Sequence, residues 1–350
     1  MTRGSSSIVR VLVVDDSAFA RKVVRELLSG SPYIEVVGTA RDGAEALELT
    51  KDLQPDLVTC DLHMPAVNGV EFVRRQMAVR PLPILLLTSA AADAAEVIEA
   101  LQLGAIDFVQ KPSAIASDQL RTIREELVEK VRAAARAPVE QLLAPARARG
   151  PLASLPAAGL RRVSIVLIGI STGGPQALRR ILPLIPADFP VPVAIVLHMP
   201  VGYTAGFAAK LDELSAIEVK EAAEGDVLRP GRALLAQAGR HLLVRRNPAG
   251  ELVAQLSYQP IEKLHRPSVD VLFESAAKVL GEGVLAVVMT GMGDDGKEGA
   301  AWVKSHGGTV LTEAERSCII YGMPRSVAEA GLSDASVPLD EMVEAIAARI

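Results

Sequence analysis

Residues 168–178 read IGISTGGPQAL and follow directly on the apolar run Val163–Ile168. Gly169, Gly173 and Gly174 surround Ser171 and Thr172, and a helical pattern follows. In a parallel α/β sheet, functional groups gather at such strand–loop–helix junctions. A phosphate-cradling loop would need G-x-x-x-x-G-K-[ST], yet Pro175 follows Gly174 and no lysine is near. Gly169, Ser171 and Gly173 instead satisfy G-x-S-x-G, a sharp turn that projects the serine hydroxyl outward. Pro175 suits the first turn of the helix. Ser171 is therefore a candidate nucleophile.

A nucleophilic serine needs a base within hydrogen-bond reach and an acid to orient that base. Of the five histidines, His198 follows the strand-like VPVAIVL (191–197), which puts it at the same sheet rim as Ser171. His241 lies inside a strand-like run, His306 near a helix end and His63 in the other half of the chain; His265 precedes a helix. The acids come from VLAVVMTGMGDDGKEG (284–299), again at a strand's end, where Asp294 and Asp295 are adjacent. Gly291 and Gly293 leave backbone N–H groups free for an oxyanion. The same stretch has a rival reading. Gly291, Gly293 and Gly296 spell G-x-G-x-x-G, with Glu313 ending the next strand, so a nicotinamide-dependent enzyme is the alternative.

Working outward, VSIVLIGIS, VPVAIVLHMP, ALLAQAG, VLAVVMTGMG and GGTVLTEAE predict a second-half sheet that is mostly parallel. The run GRALLAQAGRHLLVRRNPAGELVAQLS (231–257), with its NPAG turn, reads as an antiparallel insertion. The first half alternates VRVLVVDD, IEVVGTA, DLVTCDL, ILLLTSA and DFVQKP with helical segments, which predicts a five-stranded, doubly wound parallel sheet. We place the first domain at residues 8–130, a linker at 131–160 and the second domain at 161–350. The linker holds four arginines and one acid in an otherwise acidic chain. It reads as a solvated tether, with a partner-docking segment as the alternative.

Composition narrows the function classes. The chain has 350 residues, 49% hydrophobic and 23% charged, enough for two cores. Aromatic content of 3% and a net charge of −5 argue against a nucleic-acid surface. Cys60 and Cys318 form no metal-ligand spacing, and no apolar run reaches membrane length, so the expectation is a cytoplasmic protein without membrane insertion.

In the first half, the strand ends carry Asp15 and Asp16, then Asp61, Thr88 and Lys111. Carboxylates crowded at one rim call for a hard cation such as Mg²⁺, and the set describes a pocket for a phosphoryl group on a carboxylate. DD, DLHMPAVNG, LLLTSA and FVQKP together resemble the receiver domain of two-component response regulators. The resemblance implies a flavodoxin-like fold, phosphorylation of Asp61 by a chemotaxis histidine kinase, and Mg²⁺ held by Asp15, Asp16 and Asp61. It further implies Thr88, Phe108 and Lys111 as the switch residues, with His63 at the rim.

IGISTGGPQAL, VLHMP, HRPSVDVLF, TGMGDDGKEG and CIIYGMPRSV together resemble the catalytic domain of the chemotaxis protein-glutamate methylesterases, the CheB family. The resemblance implies a phosphorylation-activated serine hydrolase. It would remove glutamate γ-methyl esters from methyl-accepting chemotaxis receptors, release methanol and deamidate particular glutamines. Ser171 would be the nucleophile, His198 the base and Asp295 the orienting acid. The Met292 N–H would help bind the oxyanion, Thr172 and His265 would line the site, and the esterase step would need no cofactor.

Overall fold

The apolar runs of the first half become five parallel strands. The structure is a computed structural model and describes residues 8–88, 94–111, 117–137 and 163–350. Strands β1 (Val9–Val14), β2 (Ile34–Ala40), β3 (Leu57–Asp61), β4 (Ile84–Thr88) and β5 (Asp107–Gln110) lie in the order β2-β1-β3-β4-β5. Helices α1 (Ala18–Ser29), α2 (Gly43–Leu53), α3 (Gly69–Val79), α4 (Ala94–Gln102) and α5 (Ser117–Ala134) alternate with them. Strands β1, β3 and β4 are mostly apolar because helices cover both faces; Val11–Val14 and Ile84–Leu87 are buried. Chain order reverses between β1 and β3, which opens a crevice at their carboxyl ends. Ser17 caps α1 just past that crevice, its Oγ accepting from the Ala20 N–H.

Helix α5 runs to Ala134, four residues into the stretch expected to be linker. The rest of that stretch, from residue 138, lies outside the described residues.

The second unit is built on seven strands, all parallel. They are β6 (Ile165–Ile170), β7 (Val193–Leu197), β8 (Glu218–Glu221) and β9 (Arg232–Leu235), and, beyond the hairpin β10 (His241–Arg246) and β11 (Leu252–Ser257), β12 (Val284–Val288), β13 (Thr309–Glu313) and β14 (Ala335–Val337). The order β14-β13-β12-β6-β7-β9-β8 reverses between β6 and β12. Helices α6 (Gly174–Ile181), α7 (Thr204–Leu214), α8 (Val269–Leu280), α9 (Lys297–Ser305), α10 (Met323–Glu329) and α11 (Met342–Ala347) complete it.

The insertion is narrower than the sequence suggests. Among the described strands, β10 and β11 pair antiparallel, in register His241↔Ser257 to Arg246↔Leu252 around the Asn247–Gly250 turn, with one further antiparallel bridge from Val227 to Val253. Arg232–Leu235 instead joins the main sheet between β7 and β8. The hairpin lays Leu242, Val244 and Ala254 against Leu272, Phe273 and Ala276 of α8. The Val244 N–H is held by Ser275 Oγ at 3.0 Å. Two strands have no clear sequence signal. β8 is a charged edge strand (EVKE), and β14 has only three residues.

Candidate functional site

Ser171 follows the last residue of β6, and His198 follows the last residue of β7. Ile170 and Leu197 are paired across these strands, so the next residues leave the sheet side by side, about one strand spacing (~4.8 Å) apart. The His198 N–H donates to the Ile170 carbonyl at 3.1 Å, which extends the pairing past the strand end. On the other side, the Ser171 N–H donates to the Thr290 carbonyl at 3.0 Å, which ties the serine to the loop after β12. The motif glycines each have a steric reason. A Cβ at Gly169 would lie 2.3 Å from Val269 Cγ1, so β6 and α8 approach closely only at a glycine. Gly173 has φ +81°, the left-handed region, and turns the chain from the serine loop into α6.

His198 Nε2 lies 2.7 Å from Asp295 Oδ2, and both side chains are largely buried. The other ring nitrogen, Nδ1, is buried and has no hydrogen-bond partner among the described residues. The His265 ring stacks on His198, centroids 4.0 Å apart and planes 19° from parallel. Asp295 is held from four directions. Oδ1 accepts from Ser268 Oγ at 2.9 Å and from the Asp270 N–H at 3.0 Å, and Oδ2 also accepts from the Val269 N–H at 2.8 Å. Burial alone would raise this carboxyl. The His198 contact and the N–H groups of the α8 N-terminus outweigh it and hold the carboxyl well below its ordinary value. Asp294, by contrast, is exposed. Thr172 is buried and Met292 half-buried, and the Met292 N–H makes no hydrogen bond among the described residues.

The first unit collects its predicted residues at the β1/β3 crevice. Carboxylate oxygens of Asp15, Asp16 and Asp61 lie within 4.8 Å of one another. Lys111 Nζ bridges Asp15 Oδ2 at 2.6 Å and Asp61 Oδ2 at 2.9 Å. Asp61 Oδ1 accepts from the Leu62 N–H at 2.8 Å. Burial, with the Asp15 charge beside it, keeps the Asp61 carboxyl above its ordinary value against the pull of Lys111. Crowded carboxylates of this kind form an all-oxygen donor set that suits a hard divalent ion, so the residues fit Mg²⁺. Thr88 and Phe108 are buried on β4 and β5, and the Lys111 N–H donates to the Thr88 carbonyl at 2.7 Å. His63 is exposed, 3.4 Å from Glu96.

Comparison with known proteins finds a family for each of the two units. Residues 166–346 match the family model described as CheB methylesterase, and residues 11–123 match the response regulator receiver domain. A Myxococcus xanthus protein named protein-glutamate methylesterase/protein-glutamine glutaminase 5 is 49% identical over 342 residues, covering 96% of this chain and 97% of that protein. A protein-glutamate methylesterase/protein-glutamine glutaminase of Geobacillus kaustophilus is 46% identical, covering 97% of each. The crystal structure of the Thermotoga maritima CheB methylesterase catalytic domain aligns with a TM-score of 0.52 at 38% identity, covering 55% of this chain and all of that one. The chain belongs to the CheB methylesterase family.

Membership agrees with the packing around the glycine-rich loop, which leaves a dinucleotide no place. In this CheB chain the N-terminus of α9, where a pyrophosphate would sit, is already filled. Asp270 Oδ1 accepts from the N–H groups of Gly296 at 2.9 Å and Gly299 at 2.8 Å. Asp270 caps α9 while Asp295 caps α8, so the two helices stabilise each other's N-termini. Lys263 bridges Asp270 and Glu298 beside them. Glu313, the other element of the dinucleotide fingerprint, is fully buried and unavailable to a ribose.

Glu313 instead supports the CheB serine loop from behind. Its Oε2 accepts from the Thr290 N–H at 2.9 Å and its Oε1 from Ser317 Oγ at 3.0 Å. Thr290 Oγ1 in turn donates to the Thr172 carbonyl at 3.0 Å and accepts from the Ile320 N–H at 3.0 Å. Burial pushes the Glu313 carboxyl up to about 7, against those two donors and the Arg180 charge. A carboxyl raised this way favours the fold most below its unfolded value of 4.5, and that contribution is lost as pH rises through about 7. The loss amounts to about 3 kcal/mol. Glutamine can accept from Thr290 and donate to Ser317, whose hydroxyl also reaches the Ala314 carbonyl. Glu313→Gln is therefore expected to match the parent's melting temperature at pH 5 and to exceed it by roughly 5–10 °C at pH 8. A melting-temperature difference that does not grow with pH would contradict the buried-carboxyl account.

Sequence reading did not single out Ser268 and Asp270, although HRPSVDVLF contains both. Ser268 precedes a helix and so reads as a cap. The carboxylate it serves lies 27 residues further along the chain.

Proposed function

We propose that the chain is a protein-glutamate methylesterase that demethylates glutamate γ-methyl esters on methyl-accepting chemotaxis receptors, and that phosphorylation of Asp61 by a chemotaxis histidine kinase activates it. The observation that carries the esterase reading is the His198–Asp295 pair. It leaves the other nitrogen of His198, Nδ1, without a hydrogen-bond partner among the described residues, on the residue beside Ser171. With Nε2 carrying the proton donated to Asp295, Nδ1 is the basic atom.

In the reaction, Ser171 Oγ attacks the γ-carbonyl carbon while its proton passes to His198 Nδ1. The Met292 N–H, two residues past the Thr290 that holds the Ser171 N–H, is available for the developing oxyanion. Collapse breaks the C–O bond to the methoxy group, which takes the proton from Nδ1 and leaves as methanol. Water then attacks the acyl-enzyme and gives a proton to Nδ1. Ser171 recovers that proton as glutamate departs. A glutamine amide follows the same course and releases ammonia, in keeping with the double names of the relatives. Asp295 keeps its charge throughout and fixes the tautomer. His265, stacked on His198, lines the approach.

In the first unit, Asp61 accepts the phosphoryl group; Asp15, Asp16 and Asp61 would hold Mg²⁺, which would supply charge neutralisation there. Lys111 sits to pair with the phosphorylated carboxylate, and Thr88 and Phe108 repack around it. No helix among the described residues is long and apolar enough to cross a membrane.

Methanol release from methylated receptor membranes tests the whole reading. The full chain is expected to release methanol, and a small phosphodonor with Mg²⁺ to raise the rate several-fold. Asp61→Asn is expected to keep the basal rate and lose the rise. Absence of methanol would reject the esterase, and an unchanged response in Asp61→Asn would reject Asp61 as the phosphoacceptor.

A further inference from the structure

His241 begins β10, is fully buried and lies outside the catalytic residues named above. Its two ring nitrogens face opposite kinds of group. Nε2 lies 3.0 Å from the Pro260 carbonyl, which only accepts. Nδ1 lies 3.2 Å from the Ser268 N–H, which only donates. The two contacts together select the neutral imidazole with its proton on Nε2. Burial, with the nearby charges of Arg266 and Lys263, also holds this imidazole below its ordinary value, against Pro260 and Asp295.

Ser268, gripped by its N–H, is the N-cap residue of α8, and its Oγ donates to Asp295 Oδ1 at 2.9 Å. Asp295 in turn holds His198 Nε2. A chain of single hydrogen bonds thus runs from the hairpin to the imidazole: Pro260, His241, Ser268, Asp295, His198. Among the described residues the Ser268 N–H is held by His241, while the Val269 and Asp270 N–H groups that follow are held by Asp295 itself. We propose that His241 is a positioning residue for the esterase reaction: through Nδ1 it fixes Ser268, and through Ser268 it fixes the Asp295 carboxylate against His198. The inference rests on the proposed role of Asp295.

Two substitutions separate the nitrogens. His241→Asn puts its amide oxygen near the Nδ1 position and can still accept from Ser268. His241→Gln puts its amide NH₂ near the Nε2 position and can still donate to Pro260, but leaves the Ser268 N–H buried without an acceptor. In the full chain, His241→Gln is expected to lower kcat for methanol release by about tenfold or more, the effect of one unpaired buried donor, with KM unchanged. His241→Asn is expected to recover most of that rate. The downfield proton resonance of the His198–Asp295 hydrogen bond should move in the Gln variant and stay in the Asn variant. Ser268→Ala, which keeps the backbone contact but removes the hydroxyl, should lower kcat in the same way.

Equal kcat in the Asn and Gln variants, whether both high or both low, would overturn the proposal. So would an undiminished kcat in Ser268→Ala, an outcome readable even if both His241 variants fail to fold. Methanol release by the parent that is abolished in Ser171→Ala keeps the esterase reading intact in any of these cases, so the two failures are distinguishable.

Discussion

Ser171→Ala is expected to abolish methanol release from methylated receptors, by a factor on the order of 10⁶ as for nucleophile loss in a serine protease. The size follows from the unit the residue belongs to. Without an oxygen on that side chain there is no acyl-enzyme, and His198 has no serine proton to take. Only the oxyanion donors and substrate binding remain. The fold should be untouched, because the serine loop is held by backbone contacts. The Ser171 N–H donates to the Thr290 carbonyl, and the Gly174 N–H to the Ser171 carbonyl at 2.7 Å. Melting temperature and Asp61 phosphorylation are therefore expected to match the parent. A variant retaining more than a few per cent of the rate would show that Ser171 is not the nucleophile.

The second large effect distinguishes two adjacent aspartates. Asp295→Asn is expected to lower kcat by about 10⁴, the effect of the equivalent change in a protease triad. Asp294→Asn should stay within a few-fold of the parent. The reason lies in the four donors around Asp295: Ser268 Oγ, the N–H groups of Val269 and Asp270, and His198 Nε2. An asparagine must turn its NH₂ toward one pair of them. Facing His198, it forces Nε2 to become an acceptor and moves the ring proton to Nδ1, so the base is lost. Facing Ser268, it meets the Asp270 N–H head-on and leaves the cap of α8 unmade. Asp294 is exposed and carries none of these contacts. Equal losses in the two variants, or a greater loss at Asp294, would mean that the orienting acid has been assigned to the wrong residue.

Much of this architecture is legible in the chain itself. VLVV, LVTC, ILLL, IVLIGI, VAIVL and VLAVV are apolar at successive positions, not at alternate ones, and only strands covered on both faces read that way. That feature alone calls for parallel sheets, and the residue just past each run then falls at the functional rim. Asp15, Asp61, Ser171 and His198 were legible for this reason, since their positions depend on local strand ends and on β-strand register. The strands that escaped, β8 and β14, lie at sheet edges, where a short or charged segment can pair without an apolar signal.

What the tertiary structure alone decides is which groups meet across long separations. The sequence offers Asp294 and Asp295 as neighbours of equal chemistry. Only the docking of the α8 N-terminus selects Asp295, by aiming two backbone N–H groups and a hydroxyl at one carboxylate. The G-x-G-x-x-G pattern is present in the sequence, but Asp270, arriving from another helix, occupies the N–H groups a nucleotide would need. Glu313 ends a strand like any rim acid, yet packing buries it completely and turns it into a support for Thr290. His241 reads as one residue of a strand until the hairpin folds onto α8 and gives each ring nitrogen its partner. In each case the deciding quantity is the direction of a hydrogen bond between segments tens of residues apart. Residue type and periodicity do not encode that direction, and close packing does.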